Sequence, residues 1–189
     1  MSSDMLSRPV DFKKFDFIYA GVQKNLGPAG VVLVVAKKDM LAQSPETLPT
    51  MLRYSTFLKK DSLYNTPPAF CIYMVGKVAA WIKANGGLGE MEKRNQKKAK
   101  VVYDAIDNSN GFYRGHADKD SRSFMNVTFR LPSEELEKKF VAEALEHQLS
   151  GVKGHRSVGG MRASIYNAMP YEGALRLAEF MEKFRKENA

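Results

Sequence analysis

The chain has 189 residues and a single cysteine, with 44% hydrophobic and 26% charged residues and a formal net charge of +8. That length holds one domain or two small ones with a real core. The lone thiol excludes an internal disulfide or a zinc site built on cysteines. The composition is that of an ordinary soluble globular protein, without low complexity, internal repeats, a signal peptide or an apolar run able to span a bilayer. A reducing, cytoplasmic setting fits all of this.

Residues 15–20 and 30–36 are short, apolar, rich in Val, Ile, Phe and Tyr, and bounded by Gly and Pro, so they predict buried strands. Between them runs YAGVQKNLGPAG, residues 19–30, with Lys24 in a turn that carries glycines at 21, 27 and 30. A lysine placed in a buried site loses hydration, its pKa falls, and the neutral amine becomes the nucleophile that an aldehyde cofactor needs. The glycines allow a bulky ligand to approach the backbone. A lysine snorkelling from a β-turn is the plainer alternative.

Residues 42–68 are loop-rich and end in SLYNTPP. Pro67 and Pro68 disfavour helix just before them, which puts Asn65 and Thr66 in an extended or turn segment. Residues 69–84 predict a mostly buried helix that carries Cys71 as a plain buried thiol, closed by Asn85-Gly86-Gly87. A second helix is predicted over 88–107. It contains EMEKRNQKKAK, residues 90–100, the densest basic run. Acids are interleaved there and no aromatic residue is present to stack on bases, so a solvated helix face is the simpler reading and nucleic acid is not expected.

In the remainder, Met125, Val127, Phe129 and Leu131 alternate with polar residues as a half-buried strand. Ser133 is placed as an N-cap, with Glu134 and Glu135 in the first helical turn and Leu136, Phe140 and Ala144 at helical spacing. Residues 161–167 predict another strand. A last helix over 171–186 presents Leu177, Phe180, Met181 and Phe184 on one face. This strand–helix–strand–helix unit contrasts with the first 70 residues, which read as the end of a larger α/β sheet. Within KGHRSVGGMRAS, residues 153–164, Lys153, His155, Arg156 and Arg162 surround a glycine-bearing loop: an anion site or a basic surface loop, and not a Walker A motif. His116 and His147 stand alone and are read as structural or exposed, with no metal implied.

Taken together, YAGVQKNLGPAG, SLYNTPP and KGHRSVGGMRASIYNAMP, with GGLGEMEKRN and SRSFMNV, closely resemble the phosphoserine aminotransferases, pyridoxal 5'-phosphate enzymes of the type I aminotransferase fold. The resemblance implies an α/β architecture: residues 1–90 as the C-terminal part of the large cofactor-binding domain, and 91–189 as the small C-terminal α+β domain. Lys24 matches the lysine that links covalently to the cofactor. Gln23 matches a residue on the cofactor's phosphate side, and Asn65 and Thr66 a pair reaching across a homodimer to the other subunit's cofactor phosphate. His155 and Arg156 match residues that hold the substrate's phosphate, and Arg162 the arginine that clamps its α-carboxylate.

The activity implied is transfer of an amino group from glutamate to 3-phosphohydroxypyruvate, giving O-phosphoserine and 2-oxoglutarate, with Lys24 as the general base. Such anionic substrates account for the basic residues without nucleic acid or a membrane. Family members carry a further N-terminal half. Ser2 and Ser3 match the serines of a family Asp-x-Ser-Ser pattern whose aspartate would stand just before Met1. The expectation is therefore a C-terminal piece that does not transaminate alone, with a non-catalytic dimerisation module as the alternative.

Overall fold

The computed structural model describes residues 1–189, and the chain divides between Leu88 and Gly89 into two units. In the first, aromatic and β-branched residues form an antiparallel hairpin. Strand β1 (Phe17–Gly21) pairs with β2 (Val32–Ala36) in a register that sets Phe17 opposite Ala36 and Gly21 opposite Val32. Ile18 and Ala20 point inward with Met5, Val22 and Leu26 to form a small core. Short helices α1 (Lys38–Ala42) and α2 (Tyr54–Leu58) follow, then α3 (Ala69–Ala84).

Two expectations of burial fail in this unit. The hairpin is only half-buried: Tyr19 and Val32 are each 60% exposed, because strand side chains alternate between faces and one face here is uncovered. Helix α3 has the predicted bounds, yet Ile82 is its one buried residue and Phe70 is 69% exposed. Its apolar side chains run around the cylinder instead of forming a stripe, so packing one side leaves the rest in solvent. Cys71 is correspondingly half-buried, with its thiol 3.3 Å from the Ala29 carbonyl.

The second unit takes up α4 (Gly87–Asp107) for nearly all its length, then β3 (Arg114–Gly115), β4 (Asn126–Arg130), α5 (Glu134–Glu146), β5 (Met161–Ser164) and α6 (Tyr171–Asn188). The three strands make one antiparallel sheet in the order β3-β4-β5, with Val127 opposite Ala163 and Thr128 opposite Arg162. Val127 and Phe129 on β4 meet Phe140 of α5 and Phe180, Met181 and Phe184 of α6 in a single core. The rings of Phe129 and Phe140 lie edge to face at 5.9 Å, and those of Phe140 and Phe184 at 5.1 Å, arrangements that suit the ring quadrupoles. Ser133 caps α5 by accepting from the Leu136 N–H at 3.3 Å. No helix is long and apolar enough to cross a membrane.

Candidate functional site

Each candidate residue is positioned by what its neighbours bury. In the turn after β1, the Val22 N–H donates to the Val31 carbonyl at 3.1 Å, and the Leu26 and Gly27 N–H groups both donate to the Val22 carbonyl at 2.9 Å. Val22, Asn25 and Leu26 face inward, and this turns Gln23 and Lys24 outward. Lys24 is therefore exposed, as in the snorkelling alternative and not in the buried one. The turn is fastened at both ends: the Gly21 N–H donates to Ser2 Oγ at 2.8 Å, and Asn25 Nδ2 donates to the Ser3 carbonyl at 2.6 Å. The Gln23 side chain folds back over Gly21, its Oε1 only 2.6 Å from where a Cβ would stand.

Asn65 and Thr66 lie exposed in the irregular segment before Pro67, as the prolines dictate. The Asn65 amide donates within its own segment, to the Thr66 carbonyl at 3.1 Å. These four residues all belong to the first unit.

The second unit holds the basic set. Its loop closes through the Gly154 N–H donating to the Gly160 carbonyl at 2.7 Å, while the Val158 and Gly159 N–H groups donate to the His155 carbonyl at 3.0 and 2.8 Å. His155 and Arg156 are exposed on this loop. His155 Nδ1 lies 2.7 Å from Ser157 Oγ, which fixes the ring against its own turn. Arg162 sits on β5, where its N–H donates to the Val152 carbonyl at 2.8 Å. Its side-chain Nε is buried with no hydrogen-bond partner. A buried guanidinium donor without an acceptor is costly unless an anion meets it.

One feature of α4 departs from the solvated face expected of residues 90–100. Lys93, Lys97 and Lys100 are exposed, but Met91, Asn95, Lys98, Ala99 and Val102 turn inward. Lys98 is 2% exposed and donates to the Ile165 carbonyl at 3.1 Å and the Tyr166 carbonyl at 2.6 Å. Burial pushes its pKa down to about 8. Asn95 Nδ2 donates to Asn167 Oδ1 at 2.8 Å. These contacts hold the chain just after β5, the strand that carries Arg162. The signal was present in the spacing: 91, 95, 98 and 102 share a helix face, and that face leads into the core.

The family model described as Aminotransferase class-V matches residues 1–177. The chain belongs to the class-V aminotransferase family. It is 60% identical over 186 residues to the phosphoserine aminotransferase of Niallia circulans, a match covering 98% of this chain and 51% of that protein. The solved phosphoserine aminotransferase from Bacillus circulans subsp. alkalophilus superposes with a TM-score of 0.96 at 59% identity, over 100% of this chain and 52% of that one. The pyridoxal-phosphate-bound phosphoserine aminotransferase from Trichomonas vaginalis gives 0.90 at 40% identity, over 96% and 52%. The chain thus spans about half the length of the curated relatives it matches. The likeness read from the sequence holds throughout this class-V aminotransferase chain, and its α/β architecture is that of pyridoxal-phosphate-dependent aminotransferases.

Proposed function

We propose that this chain carries the lysine and the substrate-binding residues of a phosphoserine aminotransferase, which transfers an amino group from glutamate to 3-phosphohydroxypyruvate in serine biosynthesis. The observation that carries the reading is the turn at Lys24: an exposed primary amine between residues fastened on both sides, within a chain whose whole length aligns with about half of a phosphoserine aminotransferase.

The residues present fit pyridoxal 5'-phosphate. Lys24 offers the amine for covalent attachment and the Gln23 amide a neutral donor on the cofactor's phosphate side, while the Asn65 amide and the Thr66 hydroxyl offer such donors to the cofactor phosphate of the other subunit. When bound, the cofactor supplies the electron sink that makes the substrate's Cα–H bond acidic. Once its amine is released from that covalent attachment, Lys24 Nζ would serve as the general base that accepts the proton leaving the substrate's Cα. The guanidinium of Arg162, half-buried on β5, receives the α-carboxylate and fixes the orientation of Cα. His155 and Arg156 receive the phosphate end of phosphohydroxypyruvate or phosphoserine.

Residues 1–90 then act as the cofactor-binding part and 91–189 as the small domain, in a cytoplasmic homodimer whose partner cofactor is reached by Asn65 and Thr66. The exposed apolar surface of α3, with Phe70, Ile72 and Tyr73 in solvent, favours a second reading in which the chain serves chiefly as an association module.

The test is reductive trapping. The purified chain is mixed with pyridoxal phosphate, reduced with borohydride, and the modified lysine mapped by mass spectrometry. Selective labelling of Lys24 that disappears in Lys24→Ala is expected. Labelling scattered across the surface lysines would overturn the cofactor assignment for this chain.

A further inference from the structure

Arg130, the last residue of β4, belongs to none of the groups described so far. Its side chain lies flat over Gly159 and Gly160, at φ +75° and +66°. Its Nη1 and Nη2 are 3.1 Å from the position a Cβ on Gly159 would take, and its Cδ is 2.8 Å from that of Gly160. Nη2 donates to the Val158 carbonyl. Nη1 reaches the Glu137 carboxylate at 3.4 Å, and Glu137 Oε1 also accepts from the Leu131 N–H at 3.4 Å. One planar fork therefore spans a loop carbonyl and a carboxylate anchored on α5, a geometry that suits arginine and not lysine.

The loop so gripped is the one that presents His155 and Arg156. From His155 to Gly159 every residue is exposed, and such a segment opens readily unless it is tied down. Its ties are the Gly154–Gly160 bond at the base, the turn bonds to the His155 carbonyl, and Arg130 on the Val158–Gly160 limb.

We propose that Arg130, braced by Glu137, is a positioning residue that preorganises the 155–160 loop for the phosphate group of the substrate. This deepens the reading of His155 and Arg156 given above and rests on it. A loop already ordered pays no ordering entropy when the phosphate arrives, so the clamp raises affinity without touching the ligand.

The experiment uses the full chain labelled with 15N-glycine, in which Gly154, Gly159 and Gly160 report on the loop and Gly111 and Gly173 on the rest of the second unit. Inorganic phosphate is the first probe and acetate, as a carboxylate, the second. In Arg130→Ala, solvent exchange of the Gly159 and Gly160 amides should rise roughly tenfold while Gly111 and Gly173 stay as they were. Phosphate affinity should fall roughly tenfold with the acetate response unchanged, a selectivity that a general loss of stability would not produce. Arg130→Lys should fall between, and it carries the same comparison if Arg130→Ala does not fold. Unchanged exchange at Gly159 and Gly160, or raised exchange with unaltered phosphate affinity, overturns the proposal. Raised exchange in a chain whose wild type gives no phosphate response supports the clamp and overturns the phosphate assignment of His155 and Arg156 instead.

Discussion

Lys98 stands in a run of exposed lysines, and it is the one the fold buries. The carbonyls of Ile165 and Tyr166 leave the sheet at the end of β5, and the ammonium supplies their donors. Because burial lowers its pKa to about 8, the unfolded chain binds more protons than the folded one between about pH 8 and the ordinary lysine value of 10.5. Stability must then rise with pH across that window, and the penalty for holding the charge is full and constant below it. We expect the urea midpoint of the wild type, relative to Lys98→Met, to be flat below about pH 7.5 and to climb between about pH 8 and 10. A flat difference throughout would mean that the amine is not desolvated. The sequence left Lys24 between a buried amine and one snorkelling from its turn; the structure exposes it and buries the lysine at 98. The turn chemistry around Lys24 was legible because glycine, proline and the flanking strands act locally. Burial was not, because it depends on which distant groups pack over a position.

Among the elements, the β4–α5–β5 segment was read closely. Alternation over 125–131 became Asn126–Arg130, Ser133 became the cap, and the last helix extended two residues beyond its expected end. The strand expected over 161–167 stops at Ser164. Ile165 and Asn167 still alternate inward, which is what the pattern sensed, but the carbonyls there bond to Lys98 and not to a strand. The loop before β5 makes a sharper prediction. A Cβ on Gly154 would collide with the Gly159 carbonyl and stand 2.6 Å from the Gly160 oxygen, and backbone atoms do not step aside as side-chain ends do. Gly154→Ala should therefore cost about 1–3 kcal/mol by overpacking and break the Gly154–Gly160 bond. Gly89 in α4 has nothing within 4 Å of its Cβ position, so Gly89→Ala should be neutral or stabilise by up to about 1 kcal/mol. Thermal or denaturant unfolding of the two variants decides it, and equal effects would show that the loop has room the geometry denies.

For the molecule as a whole, the decisive contrast is between two cores. The first unit buries Met5, Ile18, Ala20, Val22 and Leu26 together. The second buries a continuous cluster from Ala99 to Phe184 that includes Phe129, Phe140 and Phe180. Apolar burial is the main favourable term in folding, at roughly 25 cal/mol per Å², so stability should be concentrated in the second unit. The chain carries its own reporter: its one tryptophan, Trp81, lies in α3 of the first unit and is 40% exposed. We expect the Trp81 fluorescence transition in urea to precede the loss of far-UV helical signal, much of which comes from α4, α5 and α6. Amides of β1 and β2 should likewise exchange before those of β4 and β5. Two separated transitions would violate two-state behaviour in the direction the cores dictate. Coincident curves would mean that the units unfold together, and that the size of each local core does not govern when it opens.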